Sequence, residues 1–174
     1  MSEKSIHLLR WEEIPDFPLY MDQVINLVES CLSFMKLDDD DKIVTSTMIN
    51  NYVKSKIVSA PIKKKYVRNH VAYFIVICLL KKVYSLEDIS KLIKVQFDHA
   101  PTASAYDQFC DVFEELWGGV DEPHDYTVSL EIQNLFRKTI MSVVYTISVE
   151  QAIHNEKTIA EVKKEEEKKR KKKD

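Results

Sequence analysis

Glycine is almost missing from this chain: two in 174 residues, adjacent at Gly118-Gly119. That scarcity excludes a Gly-rich phosphate-cradling loop. Together with only five prolines, it favours long helices joined by short connections. Cysteine is equally sparse. Cys31, Cys78 and Cys110 are far apart, odd in number and lack a CxxC spacing, which argues against a disulfide framework or a zinc ribbon. No apolar run approaches the roughly 20 residues that cross a bilayer. The longest, Val71–Leu80, is followed at once by lysines. Met1–Arg10 does not carry the pattern of a secretory signal. The expectation is a cytoplasmic protein with no membrane partner.

What is present is an uneven charge distribution. The net charge is −3, but residues 1–42 carry −6, residues 43–95 carry +8, residues 96–156 carry −9 and residues 157–174 carry +4. A positive block between two acidic ones suits a polyanionic partner. The competing reading is a solvated face with a chance excess of lysine.

Apolar spacing predicts an amphipathic helix over Leu19–Met35, after a lead-in broken by Pro15 and Pro18. The run Asp38–Asp41 must be solvated. A short helix over Thr47–Lys54 follows, capped by Thr45 or Ser46. Ile57–Tyr66, with Pro61 and β-branched residues, reads as a hairpin or extended loop. His70–Lys82, with Asn69 as its cap, is apolar nearly all round and belongs in the core. Ser85-Leu86-Glu87-Asp88 opens a further helix through an approximate capping box, with Leu86, Ile89, Leu92, Ile93 and Phe97 on its buried face. Ser104–Trp117 is a helix ended by Gly118-Gly119, and Val120–Tyr126 is a loop. A long helix starts near Val128 and runs to His154 or beyond. The expected units are the lead-in and first helix (1–42), a basic unit (43–98), an acidic helical region that can supply a dimerisation helix (99–156) and a charged tail that is a frayed helix or disordered (157–174).

The candidate site lies in the basic block. Ser46, Thr47, Asn50, Asn51 and Lys54 give the short helix one polar side, while Met48, Ile49, Tyr52 and Val53 give it a buried one. A recognition helix needs that division, with amides and hydroxyls turned to base edges and phosphates. Lys63, Lys64, Lys65 and Arg68 follow closely. A loop so charged can lie along a phosphate backbone and gain affinity by releasing counterions. Tyr66 among them can pack beneath the loop or bond a phosphate.

The order Thr47–Lys54, Ile57-Val58, Pro61, Lys65-Tyr66 with Arg68, a buried helix and then Tyr84-Ser85-Leu86-Glu87-Asp88-Ile89 resembles the DNA-binding half of MerR-type regulators over about Val44–Ile93. The whole chain is more similar still to the YkrK-like family of uncharacterised bacterial proteins, chiefly through Met48–Lys54 and Lys64-Lys65-Tyr66. The resemblance implies a mainly helical, all-α fold with a MerR-like winged helix-turn-helix and a small β-hairpin wing. It also implies a bacterial source, a double-stranded DNA partner, a role in transcription regulation and a homodimer joined through the C-terminal helix. It departs from MerR proteins at Asn50 and Asn51-Tyr52, and in the helix that precedes the unit.

Nothing in the sequence reads as catalytic. No Ser/His/Asp, Cys/His or paired-carboxylate arrangement stands out. His7, His70, His99, His124 and His154 lack metal-ligand spacing, and no cofactor or metal is expected. Glu114 and Glu115 read as part of an acidic helix face. The alternative function is a protein-interaction adaptor that keeps the fold without binding DNA.

Overall fold

One buried helix organises the rest. In a computed structural model, which describes residues 5–98, 100–122 and 129–172, six α-helices follow in order: α1 Met21–Cys31, α2 Ser46–Lys54, α3 Arg68–Leu80, α4 Leu86–Phe97, α5 Thr102–Trp117 and α6 Leu130–Lys171. Every residue of α3 from His70 to Leu80 except Tyr73 is buried. The helix packs against α1, α5 and α6, as its all-round apolar sequence requires. A single hydrophobic core runs from Leu8 through Ile147, so the three segments of different charge share one interior.

The capping chemistry is largely as expected. Thr45 Oγ1 accepts from Met48 N–H at the start of α2, and Ser85 Oγ accepts from Asp88 N–H at the start of α4. Asn69 does not cap α3. Val67 stands before the helix, and the Val67 N–H donates to His70 Nδ1 at 2.9 Å. The run of aspartates folds back on itself: Asp41 accepts from the N–H groups of Leu37 and Asp38. Glu29 of α1 accepts from the N–H groups of Ile43 and Val44 and pairs with Lys36, which pins the link into α2.

One expectation needs correction. The β-hairpin wing is absent as secondary structure. Among the described residues there is no strand, only two isolated antiparallel bridges, Ile62 with Lys65 and Leu19 with Tyr66. The arms are too short and too firmly held by other elements to build a ladder. A MerR-like winged helix-turn-helix is therefore not supported. The long link over residues 32–45 between α1 and α2 also exceeds the three- to four-residue turn of that motif. The charged tail continues α6 to Lys171. Glu165, Glu166 and Glu167 stand four residues before Lys169, Arg170 and Lys171, the orientation in which such pairs favour a helix.

The lead-in is docked rather than loose. Residues 8–11 lie on α5, where Glu114 accepts from Leu8 N–H and Arg10, Asp107 accepts from Trp11 N–H, and the Tyr106 hydroxyl donates to Leu9 C=O. Glu114 is thus an anchor for the chain, not one more carboxylate on a solvated face. The long helix, expected from about Val128, begins at Leu130; Val128 itself, part of the loop before it, the side chain of Phe97, and His99 and His124 lie outside the described residues.

Candidate nucleic-acid interface

The short helix α2 carries its residues as its sequence requires. Ile49 and Tyr52 are buried, Met48 and Val53 half-buried. Ser46, Thr47, Asn50, Asn51 and Lys54 are exposed. At 3.6 residues per turn these five occupy one continuous arc about 140° wide. None of them has a side-chain hydrogen bond or ion pair among the described residues. The buried side is held by Tyr52, whose ring lies 6.4 Å from that of Phe74 on α3.

The chain leaves α2 through a left-handed residue. Lys56 has φ 60°. The Ile57 N–H bonds Tyr52 C=O and the Lys56 N–H bonds Val53 C=O, the two bonds of a Schellman cap. Glycine is the usual occupant of that position, because a Cβ crowds the following carbonyl. The loop then tightens at Lys63-Lys64. Ile62 and Lys65 exchange both backbone hydrogen bonds, at 3.1 and 3.0 Å, and Lys63 and Lys64 have φ 50° and 63°. Two successive left-handed residues make a type I′ turn, where Asn-Gly is favoured. Among the described residues every non-glycine with positive φ is one of these three lysines.

His70 fixes both arms of this turn. It is buried, and with Nδ1 accepting from Val67 N–H, Nε2 is left to face Ser59 Oγ at 3.2 Å. The returning arm is also bonded to the lead-in: Leu19 N–H to Tyr66 C=O at 2.7 Å and Tyr66 N–H to Leu19 C=O at 2.8 Å.

Three residues of the candidate site have partners within the protein, and for Tyr66 this is the first of its two expected roles. Tyr66 is buried, its ring edge-on to His70 and Phe74; it packs beneath the turn. Arg68 is drawn inward. Its Nε donates to Ile14 C=O at 2.9 Å, and its guanidinium lies over Trp11 and near Glu12. Lys65 is half-buried, with its ammonium 4.9 Å from the centre of the Tyr20 ring. Lys54, Lys56, Lys63 and Lys64 are exposed with no ion pair among the described residues. The reason is visible in the sequence, because residues 43–86 contain no aspartate or glutamate. Sequence reasoning missed Lys56, whose only signal is its place just after a helix end, and Tyr20, the ring beneath the Lys65 ammonium, which stands two residues after Pro18.

Over residues 9–109 the chain matches the family model described as Domain of unknown function (DUF1836). The chain belongs to the DUF1836 family. The match takes in the docked lead-in, α1 through α4 and the first half of α5, so it includes the whole candidate interface. No curated protein and no solved structure matches the chain. In this DUF1836 member the thiols are poor nucleophiles: burial pushes Cys78 and Cys110 each up to about 12. No group of three or more His, Cys, Asp or Glu among the described residues is placed to hold a metal ion.

Proposed function

We propose that the protein binds double-stranded DNA, as a transcriptional regulator, through the exposed arc of α2 and the Lys63-Lys64 turn. One observation carries the reading: a helix face of four neutral polar side chains and four exposed lysines, Lys54 and Lys56 at the end of α2 and Lys63 and Lys64 at the tip of the next turn, have no hydrogen-bond or ion-pair partner among the described residues. Unused donors and acceptors beside uncompensated positive charge are what a phosphate backbone and base edges satisfy. In this reading Asn50, Asn51, Ser46 and Thr47 meet the major groove. Lys54, Lys56, Lys63 and Lys64 hold phosphates. Lys65, Tyr66 and Arg68 support the turn from behind.

Assembly as a two-fold dimer through α6 fits the same reading, since a symmetric dimer matches a palindromic site. Tyr145, Val149 and Ile153 are exposed at four-residue spacing, on the side of α6 opposite its buried residues Ile140, Val143 and Ile147. Ala152 lies midway between Tyr145 and Ile159. An antiparallel copy centred there brings each Tyr145 to the partner's Ile159 and each Lys138 opposite the partner's Glu166.

The test is a mobility-shift assay of the full chain with genomic fragments at low and physiological salt. Retarded complexes that weaken steeply with salt are expected. Absence of any complex at low salt refutes DNA binding and leaves the protein-interaction adaptor as the alternative.

A further inference from the structure

The surface around the lysine turn carries something that phosphate binding does not need. Phe17, Tyr20 and Ile62 are 59%, 54% and 70% exposed, and Val67 beside them is also exposed. Exposed aromatic and large apolar side chains gathered in one place mark a contact surface. The backbone explains why these are gathered. Leu19 and Tyr66 pair across the two arms with both side chains buried. The two-residue alternation of extended chain then turns their neighbours outward. Tyr20 therefore stands opposite Lys65, and Pro18 opposite Val67, on the outer face. Ile62 pairs with Lys65 and continues that face to the two-lysine tip. Phe17, exposed in the bend just before Pro18, precedes this face in the chain.

The charge on this face decides what occupies it. Lys63, Lys64 and Lys65 rim the apolar residues, and only Lys65 is engaged, over the Tyr20 ring. A partner must therefore bring negative charge and flat apolar surface together. Nucleobases on a phosphate chain do so, provided that they are not stacked within a duplex. Aromatic rings interleaved with lysines are how proteins hold unpaired strands, each base stacking on a ring while the cations track the backbone.

We propose that this outer face binds unpaired bases, so that the protein prefers nucleic acid with an opened or distorted segment over a fully paired duplex. Phe17 and Tyr20 are the stacking rings, Lys63 and Lys64 hold the flanking phosphates, and Ile62 packs against the displaced base. The inference rests on the nucleic-acid reading above and adds to it a substrate geometry.

The test compares the full chain on two fluorescein-labelled DNAs of one sequence, one fully paired and one with a central bubble of unpaired bases. Wild type is expected to bind the bubble about tenfold or more tightly, the scale of one or two stacked bases. Phe17→Leu with Tyr20→Leu keeps apolar bulk but removes both flat faces. It is expected to abolish the preference and leave binding to the paired duplex within about twofold. Phe17→Tyr with Tyr20→Phe keeps the rings and is expected to retain it. Both residues are exposed, and an unchanged thermal unfolding midpoint verifies each fold. Equal wild-type affinity for the two DNAs overturns the inference, as does a leucine variant that keeps the preference. Failure of the underlying reading looks different: neither DNA is bound at low salt.

Discussion

The Arg10 guanidinium meets the Glu114 carboxylate edge to edge, Nη1 to Oε1 at 2.8 Å and Nη2 to Oε2 at 2.9 Å. The pair joins residues 104 positions apart and fastens the lead-in to α5. Glu114 also accepts from Leu8 N–H, so removing its carboxylate strands a backbone donor as well as a guanidinium. Burial disfavours the ionised carboxylate, but the Arg10 hydrogen bonds, the Leu8 N–H and the positive charge outweigh it and hold Glu114 below its usual value.

That shift has a pH signature. A carboxyl group whose folded pKa is depressed contributes its full stability above the unfolded value and loses it as pH falls through the folded value. Glu114→Gln is expected to cost about 2 kcal/mol at neutral pH and to flatten the acid limb of stability below the ordinary carboxylate value. Urea unfolding between neutral pH and about pH 3 measures both.

The turn lysines set stability against binding. A left-handed conformation costs a residue with a Cβ roughly 1–2 kcal/mol, and Lys63-Lys64 holds two in succession. Lys63→Asn with Lys64→Gly should raise stability by about 1–2 kcal/mol and weaken DNA binding, as read by thermal unfolding and by titration on one duplex. Lys56→Gly, at the helix cap, is expected to stabilise by about 1 kcal/mol.

His70 closes the base of the same turn from both sides. His70→Ala leaves the Val67 N–H and the Ser59 hydroxyl without it and is expected to cost about 2–3 kcal/mol. Hydrogen exchange locates the effect: the Leu19 and Tyr66 amides should lose protection before those at the centre of α3.

The outward stripe of α6 provides a fourth prediction. Val149→Glu with Ile153→Glu places charge in the dimer contact without touching the core. Sedimentation should show wild type as a concentration-dependent dimer and the variant as a monomer with the same helix content.

Most of the helical fold was legible because local rules and tertiary packing agree. The alternation in Thr47–Lys54, the Thr45 and Ser85 caps and the apolar sequence of α3 each specify one structure, and each is what the chain adopts. The site was legible only in part. Lys65 and Arg68 look like their charged neighbours in the sequence, and Tyr66 can either pack beneath the loop or bond a phosphate. Their partners Tyr20, His70 and Ile14 come from the lead-in and from α3, and spacing does not encode those contacts. The β-branched residues and Pro61 favour extended chain and so point to a wing. Its arms end in single bridges because Leu19 and His70 take up the bonding groups that a ladder needs.

The salt dependence of duplex binding, measured for wild type and for Lys63→Ala with Lys64→Ala, decides whether the turn lysines hold phosphates. Every phosphate that a lysine ceases to neutralise lowers the slope of log K against log salt by about 0.9. Weaker binding to every sequence and a slope smaller by roughly 2 are expected. An unchanged affinity with an unchanged slope contradicts phosphate contact by the turn lysines.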